Sequence, residues 1–192
     1  MAKYVILVHE DGAGHFHADA GEVTPGDIAA LPQEAQDRDV QLSKIATDRI
    51  FAIARQKKFF AMDCDSGGAN IAFQGKKTLK YGGPDGRGSC SYNYSKDPQI
   101  EWLTREFEGT ASTLDEGRKL AIQHEHGRLS LDAELETLET LVHNGQAVEL
   151  TNIAPTLREI AGDDAVMQRA QKRARQLLFA ADKADAEDKL KQ

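Results

Sequence analysis

Histidine, carboxylate and cysteine carry most of the chemistry this 192-residue chain offers. His15 and His17 are two residues apart, so on a strand both imidazoles face the same side. His9 precedes them and Glu22 follows, close enough in sequence for either to return as a further donor. Imidazole combined with carboxylate suits zinc, iron, copper or nickel and leaves a coordination position for water. His15, His17, Glu22 and His9 are therefore the candidate ligands of a divalent transition metal. The competing expectation is a solvated, glycine-rich segment whose histidines lie on the surface or in turns, with no cofactor at all.

Cys64 and Cys90 both fall in apolar runs read as strands. A cross-strand disulfide forms if the register brings their Cα atoms within ~7 Å. Closing a loop of roughly 27 residues would then stabilise the fold by about 3.5 kcal/mol in the chain-entropy picture. A bridge implies an oxidising compartment, whereas two buried thiols would fit the cytosol. Neither cysteine has a Cys-x-x-Cys partner or an adjacent histidine, so the residues give thiol catalysis little support.

The other reactive-looking segments read as structural. Gly82 to Gly88 holds four glycines but lacks the Gly-Lys-Ser/Thr ending of a phosphate loop, which makes it a turn. His124 and His126 would diverge on a helix and lie just before Gly127, at a helix end, and His143 beside Asn144-Gly145 reads the same way. Arg169, Lys172, Arg173 and Arg175 form one basic run, for which Glu134, Glu136 and Glu139 are ready partners. No Gly-x-Ser-x-Gly, His-Glu-x-x-His or aspartic dyad is present.

The elements that must position these groups differ between the two halves. Residues 1–96 carry 12 acidic and 12 basic side chains and most of the glycines and aromatics, while residues 97–192 carry 19 and 12. All of the net charge of −7 thus sits in the second half, which argues against nucleic acid as a partner. No apolar stretch, Tyr4–Val8 included, is longer than five residues, far short of the ~20 residues of a membrane span.

The pattern predicts an α+β fold: a small antiparallel β-meander over 1–96, a bundle of about four helices over 97–182 and a frayed or disordered tail over 183–192. Strands are expected at Tyr4–Val8, Arg49–Arg55, Phe59–Cys64, Asn70–Gln74, Thr78–Tyr81 and Ser89–Tyr94. Thr24-Pro25-Gly26-Asp27 opens a short helix toward Leu31, and Gln33–Lys44 reads as a loose helix or loop. Asp97-Pro98 starts the first long helix, with Ile100, Leu103, Phe107, Ala111, Leu114 and Ala121 along one face. Ser130 or Asp132 caps the second, which Asn144-Gly145 stops; Pro155 interrupts the third, and Asp163 caps the fourth.

His15-Phe16-His17-Ala18-Asp19-Ala20-Gly21-Glu22 resembles the His-x-His-x4-Glu of the first cupin motif, and Val23 to Ile28 resembles a piece of the second. The resemblance spans under 30 residues, and the later Pro-x-Gly-x-x-His is absent. A wider one rests on Gly83-Pro84-Asp85-Gly86-x-Gly88-Ser89-Cys90-x-Tyr92-Asn93-Tyr94-Ser95-Lys96-Asp97, with Arg128-Leu129-x-Leu131-Asp132 and Asn152-Ile153-Ala154-Pro155 beyond it. That pattern resembles a family of uncharacterised bacterial proteins, usually exported, with no assigned activity. It implies export and a bridged Cys64–Cys90. Met1 to Val8 has too short an apolar core for a signal peptide. The protein is therefore extracytoplasmic if a leader has been removed, and cytoplasmic otherwise.

Two functions follow. The first is a non-catalytic envelope or secreted scaffold that contacts a protein partner or a second copy of itself. The second is a small metal-binding protein or metal-dependent enzyme using the N-terminal histidines.

Overall fold

The computed structural model describes residues 3–21, 34–67, 72 and 75–189. The architecture is α+β, an N-terminal antiparallel sheet followed by helices. The chain forms two compact units, one of residues Met1–Ile45 and Phe107–Gln192, the other of residues Ala46–Glu106. Composition changes at residue 96, but these spatial units do not divide there, because strand edges find partners more than a hundred residues away.

In the first unit, β1 (Tyr4–Val8), β2 (Ala13–Ala18) and β3 (Gln36–Gln41) form an antiparallel sheet in that order. Phe16, Ala18 and Val40 are buried on one face, with Tyr4 packed against Phe16 at 6.0 Å between ring centroids. β3 lies where a loose helix or loop is expected. Its sequence, Gln-Asp-Arg-Asp-Val-Gln, buries only Val40 fully, so it has almost no apolar alternation to read. Its place comes from hydrogen bonding to β2 instead.

The helices of this unit follow their stripes. α2 (Pro98–His126) contributes Ala111, Leu114 and Leu120 to its interior; Ala121, expected inside, is exposed. α3 (Leu131–His143) buries Leu131, Leu135 and Leu138 and ends before Gly145, whose φ of 68° lets the chain turn away. A 3-10 turn at Leu150–Ile153 leads into α4 (Ala154–Gly162), with Pro155 in the first helical turn where its missing N–H costs nothing. The expected break at Pro155 is thus a helix start. α5 (Gln168–Lys189) places Ala170, Ala174, Leu177 and Ala181 against the same core, which also holds Leu157 and Ile160. Each fully buried leucine contributes roughly 1.5–3 kcal/mol. Where a frayed tail is expected from residue 183, α5 continues to Lys189.

The second unit departs further from expectation. The apolar run at 49–55, expected as a strand, lies in helix α1 (Lys44–Gln56). Ala46, Ile50, Ile53 and Ala54 are buried at three- and four-residue steps, a period that only a window longer than the Ile-Phe-Ala-Ile run reveals. The expected strand at 59–64 is a 3-10 turn, Lys58–Phe60, and irregular chain beyond it. β4 (Lys77–Gly83) and β5 (Gly86–Tyr92) form a separate hairpin joined by Pro84-Asp85, so the single meander is in fact two sheets. Of the stretch expected as a glycine loop, only Pro84-Asp85 forms the turn; Gly82 and Gly83 end β4, and Gly86 to Gly88 open β5. The helix at 24–31 and the strand at 70–74 fall wholly or mostly outside the described residues.

Asp97 caps α2, its Oδ1 accepting from the backbone N–H of Gln99 at 2.9 Å and of Ile100 at 3.4 Å. Ile100 and Leu103 from the first turns of α2 are completely buried in this unit. Cys64 and Cys90 are joined by a disulfide with Cα atoms 5.8 Å apart. Cys90 lies on β5, but Cys64 lies in the irregular segment after the 3-10 turn and not on a strand.

Candidate functional site

The three-stranded sheet turns one face to solvent, and its register decides what that face displays. Val5 lies opposite His17 and Leu7 opposite His15 across β1 and β2. His15 lies opposite Asp39 and His17 opposite Asp37 across β2 and β3. Three parallel rows result: two aliphatic side chains, two imidazoles and two carboxylates.

The imidazoles and carboxylates are in direct contact. Asp37 is shared, its Oδ1 in close contact with Nε2 of His15 and its Oδ2 lying 3.1 Å from Nδ1 of His17. Asp39 approaches Nδ1 of His15 at 3.1 Å, and Asp19 lies 3.6 Å from Nε2 of His17. Hydrogen bonds from Asp39 and then Asp37 raise the His15 pKa above 6.5. The same contacts, His17 first and His15 second, hold the Asp37 carboxyl below its ordinary range. An imidazole flanked by carboxylates at both nitrogens is best satisfied as imidazolium, with two N–H groups to donate. That arrangement favours the protonated form of His15, the form that competes with metal binding at its ring nitrogens.

His15 and His17 share a face of β2, as their spacing predicts, but the other expected donors do not join them. His9 lies in the turn after β1, where its backbone pairs with Gly12 and Ala13. Glu22 lies outside the described residues. Among the described residues, no three His, Cys, Asp or Glu side chains are placed to hold a metal ion. The partners that sequence reasoning missed are Asp37 and Asp39, about 22 residues downstream in a segment not read as a strand. Their i, i+2 spacing mirrors that of the histidines and is the one signal that pointed to them.

The remaining candidates are accounted for locally. Nε2 of His124 lies 2.9 Å from Oδ2 of Asp163, which Arg128 also approaches at 3.2 Å, so His124 pins the end of α2 to the start of the α4–α5 link. His126 is exposed and does not join it. Of the basic run, Arg173 pairs with Asp132, Glu136 and Glu139, and Arg169 with Asp132, which ties α5 to α3. Glu134 faces Lys119 and Gln123 of α2 instead. Asp132, expected as a cap, is a buried anchor for these arginines. In the second unit a cavity of about 220 Å³ is bordered by Lys77, Tyr92, Tyr94, Glu101, Thr104 and Arg105. It is smaller than the roughly 300–1,000 Å³ of ordinary small-molecule sites.

No family model, curated protein or solved structure matches the chain.

Proposed function

We propose that the protein is a non-catalytic interaction module of an oxidising, extracytoplasmic compartment, and that the outer face of the β1–β3 sheet contacts a protein partner. The observation carrying this reading is the exposure of Val5 and Leu7, at 56% and 55%, directly beside the ordered His15, His17, Asp37 and Asp39. A single exposed aliphatic residue is commonplace. Two in one row, flanked by charges already paired with one another, form an apolar contact with a polar rim. The Cys64–Cys90 bridge and the resemblance to exported proteins support the compartment.

A photocrosslinking residue placed at position 7, with a control at exposed Leu129, tests the surface in cells that make the protein. A discrete adduct from position 7 that weakens with Val5→Lys supports the reading. No adduct, or the same adducts from both positions, overturns it.

Metal binding keeps one favourable observation, the convergence of His15 and His17 on a single carboxylate. Elemental analysis of untagged, chelator-free protein decides between the two. A stoichiometric transition metal lost in a His15→Ala/His17→Ala variant would replace the interaction reading.

A further inference from the structure

The most unusual backbone among the described residues lies in the second unit. Lys58, Phe59 and Phe60 have φ of 53°, 57° and 64°, three consecutive L-residues in the left-handed region. Such residues visit it singly, and a run of them persists only where the surroundings over-determine it. The turn is closed by Phe60 N–H to the Lys57 carbonyl at 2.9 Å and Ala61 N–H to the Lys58 carbonyl at 3.0 Å. Those two bonds alone do not select the left-handed form.

β5 supplies what does. Gly86, Gly88 and Cys90 are spaced two apart on one strand and so share a face. A Cβ on Gly86 would lie 2.3 Å from the Phe59 ring, and one on Gly88 would lie 2.5 Å from the Phe59 carbonyl oxygen. The two glycines are therefore a seat for the turn, and Tyr81 of β4 stacks on the Phe59 ring at 5.1 Å. Cys90, next along the same face, fastens Cys64, four residues beyond the turn. Upstream, Lys57 is anchored to Asp97 and Arg55 to Asp85. Gly-x-Gly-x-Cys thus reads as two hollows and one covalent anchor.

We propose that this is a one-way oxidative latch: forming Cys64–Cys90 seals the left-handed turn onto β5, and the sealed turn then shields the bridge. In the reduced chain the turn leaves its seat and both thiols are reachable. Closure passes two electrons and two protons from the thiols to a disulfide-bearing oxidant, which becomes a dithiol. Once closed, Cys64 and Cys90 are 3% and 6% exposed, which hinders the approach of a reducing thiolate. The second unit is completed on oxidation and does not reopen when a reductant is met later. This inference is independent of what the sheet face binds.

The test uses the full-length protein, dithiothreitol and trypsin. The native bridge is expected to be reduced roughly a hundredfold more slowly than the same bridge in guanidinium-unfolded chain. A Cys64→Ser/Cys90→Ser variant is expected to be cut after Lys57 or Lys58 about tenfold faster than the oxidised protein, with amide exchange in β1–β3 unchanged. Should that variant not fold, Gly86→Ala serves with the bridge present: displacing Phe59 should speed both cleavage at Lys58 and reduction of the bridge. Equal reduction rates in native and unfolded protein, or unaltered protection of Lys58 in both variants, would overturn the latch.

Discussion

The side-chain amide of Asn152 pairs with the backbone of Gln41 as a neighbouring strand would. Its Oδ1 accepts from the Gln41 N–H at 2.8 Å, and its Nδ2 donates to the Gln41 carbonyl at 2.9 Å. Arg38 donates to the Asn152 carbonyl at 2.9 Å, and the Glu149 carboxylate accepts from both N–H and Oγ of Ser43 at 2.8 Å. The end of β3 is thereby closed by a 3-10 turn from the helical half of the chain, which covers an edge otherwise open to unwanted pairing.

Asn152→Ala removes both bonds to Gln41, and with them the one from Nδ2 to the Glu149 carbonyl at 3.0 Å. Because Gln41 is exposed, water can replace the two bonds made to it, and the expected loss is about 1 kcal/mol. Chemical denaturation measures that loss, and faster hydrogen exchange at the Gln41 amide localises it.

Gly86→Ala forces a Cβ into the Phe59 ring, an overlap relieved by displacing the ring or the turn that carries it. The expected cost is roughly 1–3 kcal/mol. Thermal unfolding under oxidising conditions reads it, and Gly82→Ala, where a Cβ meets nothing within 4 Å, is the matched control.

Glu116 carries an opposite pH signature to most carboxylates. Only 6% of its side chain is exposed, Lys119 donates to its Oε1 at 2.6 Å, and its Oε2 is buried with no hydrogen-bond partner. Burial raises its pKa, with Glu134 of α3 adding to the effect and Lys119 opposing it. Asp115 also pairs with Lys119, and Gln123 donates to Glu134. A raised carboxyl binds its proton more tightly folded than unfolded, so this group lowers stability as pH rises from the ordinary carboxylate value through the raised one. Glu116→Gln should abolish that slope, leaving the variant favoured over wild type at pH 8 compared with pH 5. Identical pH–stability curves would contradict this.

His15 titrates in the same direction for a different reason. Its pKa is raised by hydrogen bonds to Asp39 and Asp37, so its stabilising contribution is complete below 6.5 and disappears as pH passes the raised value. Nuclear magnetic resonance of the imidazole should show a midpoint above 6.5 that falls toward it in Asp37→Asn and Asp39→Asn.

Asp132 contributes to the acid limb. Arg169 first, with Arg173 in addition, holds its pKa below the usual carboxylate range. Stability from this group is present above the unfolded value of about 3.8 and is lost as pH falls through the lowered one. Asp132→Asn should lower the melting temperature at pH 7 and lessen its dependence on acid.

Local chemistry in the sequence determined the helical half. Apolar residues at helical spacing, the Asp97-Pro98 start and the Asn144-Gly145 stop each act within a few residues, so α2, α3 and most of α5 were legible before any contact was known. The same holds for the β1 and β5 strands and for the common face of His15 and His17, which follows from a period of two. Tertiary structure decided the rest. β3 is a strand because β2 and Asn152 hydrogen-bond it, not because Gln-Asp-Arg-Asp-Val-Gln favours one. Asp37 meets His15 and His17 because antiparallel register places it there across 20 to 22 residues. Gly86 and Gly88 are a seat, not a flexible loop, because Phe59 presses on them. Pairings of that kind depend on which backbones come together, and that is settled by burial and register over the whole chain.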